Sequence, residues 1–153
     1  MAEEAKIKLV QRNKKAFFNY EILERLEAGL VLTGSEVKSI RDGKVSIQEA
    51  YAKVCEGEVW IVGMDISPYP QAGPYHNHEP RRPRKLLLHR REIQRLIGKT
   101  QEKGLTLIPL ALYFKDGYAK LEIGLARGKK QYDKRQAIRE REAKRALQRR
   151  MMK

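Results

Sequence analysis

The sequence predicts a small, mainly β barrel of about six short strands, with two or three short helices and a basic C-terminal tail. Two sharp turn pairs, Glu56-Gly57 and Asp116-Gly117, are flanked by apolar runs, one of them alternating without a break. A loop dense in proline occupies the middle of the chain. A last segment of 27 residues has no apolar face wide enough to join a core.

In chain order, residues 1–15 are polar and unpatterned. From Phe17 to Leu26 a period of two puts Phe18, Tyr20, Ile22 and Leu26 on one side, with Glu24 the exception, which favours a half-buried strand. Ile22, Leu23 and Leu26 would also suit a helix. Ala28-Gly29 breaks this run and Leu30-Val31-Leu32 resumes it. Gly34 to Gly43 reads as a short helix, with Ser35 as cap, Val37 and Ile40 on one face, and Gly43 in the left-handed C′ position. Ala50–Val54 and Val59–Val62 form a hairpin around Glu56-Gly57. Pro68 to Pro83 carries five of the six prolines and reads as a long loop. A helix is predicted from Arg91 to Ile97, stopped by Gly98. Leu105–Phe114 and the alternating Ala119, Leu121, Ile123 and Leu125 flank Asp116-Gly117 as a second hairpin. Pro109 marks its first strand as an edge or a bulge. Strands this short and numerous point to a closed or partly open barrel.

The division that follows is a barrel domain over residues 1–126 and a tail over 127–153. The tail holds twelve Lys or Arg against three acids, a net of +9 out of the chain's +14. Ala143, Leu147 and Met151 form only a thin stripe, although Ala, Arg, Lys, Gln and Glu favour helix. A segment of this kind is expected to order only against an outside anion. The pI near 10 narrows partners to nucleic acid, an anionic membrane or an acidic protein, and the tail lacks the aromatic and leucine face of a membrane helix. Nucleic acid leads. Cys55 is the single cysteine, no apolar run approaches a membrane span, and the acidic start has no signal core. A cytoplasmic, monomeric protein is the expectation.

A search for catalytic chemistry finds little. His76 and His78 have no cysteine pair or carboxylate at ligand spacing, so no metal and no cofactor are expected. Gly98-Lys99-Thr100 lacks the upstream glycine of a phosphate loop and reads as a helix stop. No residue stands out as a nucleophile, and no enzyme is predicted. Binding features are stronger. Arg81, Arg82, Arg84, Lys85, Arg90 and Arg91 crowd a proline-stiffened stretch suited to phosphate contacts, or to a solvated basic face. Tyr69, Tyr75 and Tyr132 are the candidates for stacking on unpaired bases.

Six ordered stretches go further. They are Asn13-Lys14-Lys15-Ala16-Phe17-Phe18, Glu27-Ala28-Gly29-Leu30, Gly34 to Ser39, Arg84-Lys85-Leu86-Leu87-Leu88, Lys103-Gly104-Leu105-Thr106, and Gly128-Lys129-Lys130 with Asp133-Lys134-Arg135. Together they resemble the SsrA-binding protein family (SmpB) from Asn13 to the end of the chain. The resemblance implies an oligonucleotide-binding-type (OB-type) barrel whose tail is disordered when free and helical on the ribosome. It implies binding to the tRNA-like domain of transfer-messenger RNA and delivery of that RNA to stalled ribosomes for trans-translation. The tail would probe the empty mRNA channel beside the small-subunit decoding centre. Asn13, Glu27 and Leu87 match family residues tied to RNA binding. Gly128, Lys129 and Lys130 match a hinge motif. Tyr132, Asp133, Lys134 and Arg135 match the motif near the decoding centre, and Met151 and Met152 resemble the family's hydrophobic end.

Overall fold

In the computed structural model, which describes residues 6–101, 104–129, 139 and 141–149, the chain forms nine strands and three helices before the tail. They run in the order β1 (Ile7–Arg12), α1 (Lys14–Asn19), β2 (Tyr20–Leu30), α2 (Gly34–Arg41), β3 (Val45–Ser46), β4 (Tyr51–Cys55) and β5 (Glu58–Val62). There follow β6 (Asp65–Ile66), a 3-10 turn (Pro70–Ala72), β7 (Arg84–Leu87), α3 (Arg90–Thr100), β8 (Leu105–Lys115) and β9 (Tyr118–Gly128).

The main sheet has the order β1-β8-β4-β5-β7-β2-β9, and β9 also pairs with β8. Six strands therefore close on themselves, which removes the open edges of a flat sheet. Closure between β4 and β8 rests on the pair Ala52↔Leu107. β1 lies outside this ring and pairs with the later half of β8. Both turn pairs take the expected form, with Glu56 and Gly57 at φ 52° and 77°, and Asp116 and Gly117 at 51° and 86°.

The barrel interior is filled by Val59, Ile61, Leu86, Leu107, Leu112 and Leu121 with their neighbours, completed by Ile40 from α2 and Leu96 from α3. A second apolar cluster lies on the outside, where Ala16 of α1 meets Ile108, Leu110 and Ala126. Gly124 makes that cluster possible. A β-carbon there would stand 3.0 Å from Leu110 Cδ1 and 3.3 Å from Ile22 Cγ2.

Several elements differ from the sequence expectation. β1 arises from the stretch read as unpatterned, because its ladder partner on β8 supplies the hydrogen bonds while only Val10 faces the core. Phe17 to Asn19 belong to α1 rather than to a strand. Asn13 caps that helix by accepting from Ala16 N at 3.3 Å, and its amide donates to Pro109 O at 2.9 Å. β2 runs through Gly29, which pairs with both Lys120 and Leu87. The cap of α2 is Thr33, not Ser35, and forms a capping box with Glu36. Helix α3 passes through Gly98 to Thr100. Pro109 sits at a bulge in β8, between the stretch paired with β4 and the stretch paired with β1.

The proposed boundary after residue 126 falls inside β9, since Gly128 pairs with Tyr20 and Lys129 N donates to Asn19 O at 3.0 Å. Residues 139 and 141–149 are helical with every side chain exposed. The expectation reserved this helix for the ribosome. Strong helix formers sustain it here, and the Arg141 guanidinium lies 5.2 Å over the Phe18 ring, which ties it to the barrel. Lys130, Tyr132, Asp133, Lys134, Arg135, Met151 and Met152 lie outside the described residues.

Thr33→Ala removes the side-chain half of the capping box. It is expected to cost about 1 kcal/mol in thermal unfolding.

Candidate nucleic-acid interface

The outer face of β2, β9 and β8 is where exposed charge and exposed apolar surface meet. The ladders align Leu87, Gly29, Lys120 and Tyr113 in one row across four strands, and Glu27, Glu122 and Ala111 in the next. Within the run of three leucines, Leu86 points into the barrel and Leu87 stands outward with 53% of its surface exposed. Gly29 keeps the floor beside it flat, since a β-carbon there would meet Leu87 Cβ at 3.3 Å. Glu27, Gly29, Leu87, His89, Glu92 and Lys120 line a shallow recess at this point.

Glu27 is the charged centre of the face. The Tyr113 hydroxyl donates to its Oε2, and Lys115 Nζ donates to Oε1 at 3.3 Å. The tyrosine hydrogen bond lowers its pKa, partial burial opposes this, and Lys115 and Lys120 add to the lowering. Glu27 is therefore an anion at neutral pH, ringed by lysines. Beyond Leu87, the first turn of α3 carries Arg90 and Arg91, both exposed. Arg95 on the same helix pairs with Glu24 of β2.

The basic stretch from Arg81 to Arg91 is less available than its composition implies. Arg84 was expected to bind RNA, and this is corrected: it is fully buried, with its Nε 2.5 Å from Glu36 Oε2. Its other nitrogens donate to Met64 O at 2.6 Å and Pro80 O at 3.0 Å. Arg82 also pairs with Glu36, Arg81 with Asp65, and Lys85 with Glu58 at 3.0 Å. Because the four cations from Arg81 to Lys85 already have anions, the density of charge in the sequence overstates the attraction to phosphate.

Asn13 needs a similar correction. It is 3% exposed, and its amide is engaged by Ala16 and Pro109, so it shapes α1 instead of presenting a contact. Gly128 and Lys129 lie at the end of β9, where Gly128 pairs with Tyr20 and Lys129 Nζ donates to Phe17 O at 3.3 Å. From Tyr20, which pairs with Gly128, Glu27 lies about 23 Å away along β2, seven steps of the strand. Glu27 and Leu87 are thus brought together, Gly128 and Lys129 stand apart from them, and Asn13 sits beside Pro109 and Leu110 of β8. Tyr113, Lys115 and Lys120 escaped the sequence reading. Alternation was visible only along β9; β8 read as an unbroken apolar run, and which side faces out at Tyr113 depends on the bulge at Pro109.

The histidines do not assemble a metal site. His78 is buried, with Nδ1 2.9 Å from Ser35 Oγ and Nε2 2.9 Å from Ile66 O. Nε2 therefore carries the proton and donates to the carbonyl, while Nδ1 accepts from the serine. No metal-ligating cluster is found among the described residues. No helix among them is long and apolar enough to cross a membrane. Tyr75 is exposed, whereas Tyr69 is half-buried beneath Lys38 Nζ, 5.5 Å from its ring.

A closed barrel with a basic and partly apolar outer face, centred on a tethered carboxylate, is the architecture of an RNA-binding adaptor. A family model described as SmpB protein matches residues 10–153, and the chain belongs to that family. It is 56% identical over 141 residues to the SsrA-binding protein of Carboxydothermus hydrogenoformans, covering 92% of this chain and 94% of the relative. With the SsrA-binding protein of Acidothermus cellulolyticus it shares 57% identity over 149 residues, covering 97% and 93% respectively. A chain from the structure named "tmRNA-SmpB: a journey to the center of the bacterial ribosome" is 49% identical. It aligns with a TM-score of 0.67, covering 84% of this chain and 94% of that one.

Proposed function

We propose that the chain is a non-catalytic, cytoplasmic adaptor. It binds the tRNA-like domain of transfer-messenger RNA through the barrel and delivers that RNA to stalled ribosomes for trans-translation. The tail then probes the empty mRNA channel. The observation that carries the binding half is the Glu27–Leu87 face. An exposed leucine on a flat floor suits the face of a base or ribose. A carboxylate beside it accepts donors, which bare phosphates lack, so the face favours shape and donor recognition over bulk attraction. Lys115, Lys120, Arg90 and Arg91 supply the surrounding positive charge for phosphates. Division of labour between barrel and tail is part of the same reading, with the joint at Gly128.

The test is binding of the full chain to the tRNA-like domain and to an unrelated hairpin of equal length at one salt concentration. Leu87→Ala is expected to weaken the first about tenfold, the loss of roughly 1–2 kcal/mol of apolar contact, and to leave the second unchanged. Because the side chain is half-exposed, thermal stability should hardly move. Equal affinity of the wild-type chain for both RNAs would remove the basis of the proposal.

A further inference from the structure

Glu27 is held from one side. Tyr113 lies on β8, two strands from Glu27, with β9 between them. Its ring is 8% exposed, and its hydroxyl crosses β9 to reach Oε2. Lys115, two residues further along the same face of β8, reaches Oε1. Each carboxylate oxygen thus has one partner on the β8 side and spare lone pairs elsewhere. The residue of β9 directly opposite Glu27 is Glu122, which repels it and pairs instead with Arg25 at 3.6 Å. Without Tyr113, Lys115 would be the remaining hydrogen-bond partner of Glu27, and β9 would offer only the attraction of Lys120.

We infer that Tyr113, assisted by Lys115, is a positioning residue for RNA recognition, holding the Glu27 carboxylate in one orientation with its free lone pairs turned toward an N–H or O–H donor of the RNA. This rests on the reading of Glu27 as an RNA contact. A fixed anion on a basic face repels phosphate and rewards only a ligand that brings a donor to that point. A mobile carboxylate would swing to the nearest lysine and lose that discrimination. Burial and the neighbouring Glu27 push the tyrosine pKa far up, so its hydroxyl remains a donor throughout the working range.

The experiment measures affinity of the full chain for the tRNA-like domain and for the unrelated hairpin, with unfolding temperature followed in parallel. The variants are Tyr113→Phe, Glu27→Gln and the double variant. Tyr113→Phe removes one oxygen and is expected to weaken binding to the domain about tenfold, with the hairpin unchanged. In the Glu27→Gln background the same change should have no further effect. A carboxyl titration by carbon-13 NMR should place Glu27 at higher pH in Tyr113→Phe than in the parent chain.

If Glu27→Gln weakens binding and Tyr113→Phe does not, the positioning role is overturned and the Glu27 contact survives. If Glu27→Gln has no effect, both fail. Additive losses in the double variant would show Tyr113 acting independently and also overturn the inference. Should Tyr113→Phe unfold the barrel, Lys115→Met provides the second variant. Loss of affinity for the domain beyond that for the hairpin supports the inference, and equal losses overturn it.

Discussion

Replacement of Arg84 by Ala is expected to bring the barrel to the edge of unfolding. The guanidinium is fully buried and joins β7 to Glu36 on α2, to Met64 O before β6, and to Pro80 O in the proline loop. Removing it leaves the Glu36 carboxylate buried with Arg82 as its remaining cation, and takes a donor from three carbonyls, those of Met64, Glu79 and Pro80. Breaking a buried pair in this way costs about 3–5 kcal/mol, against a total stability of about 5–15 kcal/mol for a domain of this kind. Urea unfolding followed by tryptophan fluorescence should show the midpoint falling sharply. Unchanged stability would mean that Arg84 is not part of the packing. A double replacement, Arg84→Met with Glu36→Leu, should recover part of the loss, because no buried carboxylate is then left short of a cation, although Arg82 and the Thr33 N–H lose their acceptor.

The same cluster sets an acid limit. Burial pushes the Glu36 carboxyl up, but hydrogen bonds from Arg82, the Thr33 backbone and Arg84 outweigh it, and its pKa lies below the ordinary 4.5. A depressed carboxylate contributes stability that is complete above pH 4.5 and declines as pH falls through the folded value. Glu36→Gln should flatten the acid limb of the stability curve while lowering the plateau.

Truncation after Lys129 is expected to separate the two working parts. Everything that closes the barrel lies at or before this residue, including the Lys129 N bond to Asn19 O. The exposed 141–149 helix meets the barrel through Arg141 over Phe18, a contact worth about 0.5–1 kcal/mol at a surface. The truncated chain should therefore keep its unfolding temperature and its affinity for the tRNA-like domain, while peptide tagging in a reconstituted translation system falls to background. Ala146→Pro in the full chain isolates the helix itself, at a local cost of about 3 kcal/mol. Tagging should fall with it, and retained tagging would show that the tail works without this helix.

Elements governed by neighbouring residues were legible beforehand. Glu56-Gly57 and Asp116-Gly117 specify their hairpins because positive φ is demanded within two residues. Val37 and Ile40 put α2 in place through spacing alone, although the hydroxyl that caps it proved to be that of Thr33. β1 and α1 were hidden for the opposite reason. β1 is held by a ladder to residues 111–115, and the α1 cap is anchored to Pro109, both about a hundred positions along the chain. Glu27 and Leu87 were picked out by likeness to a family, not by any periodic signal. Among the three leucines, only the fold shows that Leu86 is buried and Leu87 turns outward.

The sequence by itself determined the β-rich class, the excess of positive charge and its concentration in the tail, because these follow from composition and short-range pattern. Tertiary structure decided which charges remain for a partner. A buried cation must find an anion, so Arg84 joined Glu36 within the fold. An exposed carboxylate needs a tether to keep one direction, and Glu27 found it two strands away at Tyr113. Charge is a property of residues, whereas its availability depends on which side of a closed sheet each residue faces.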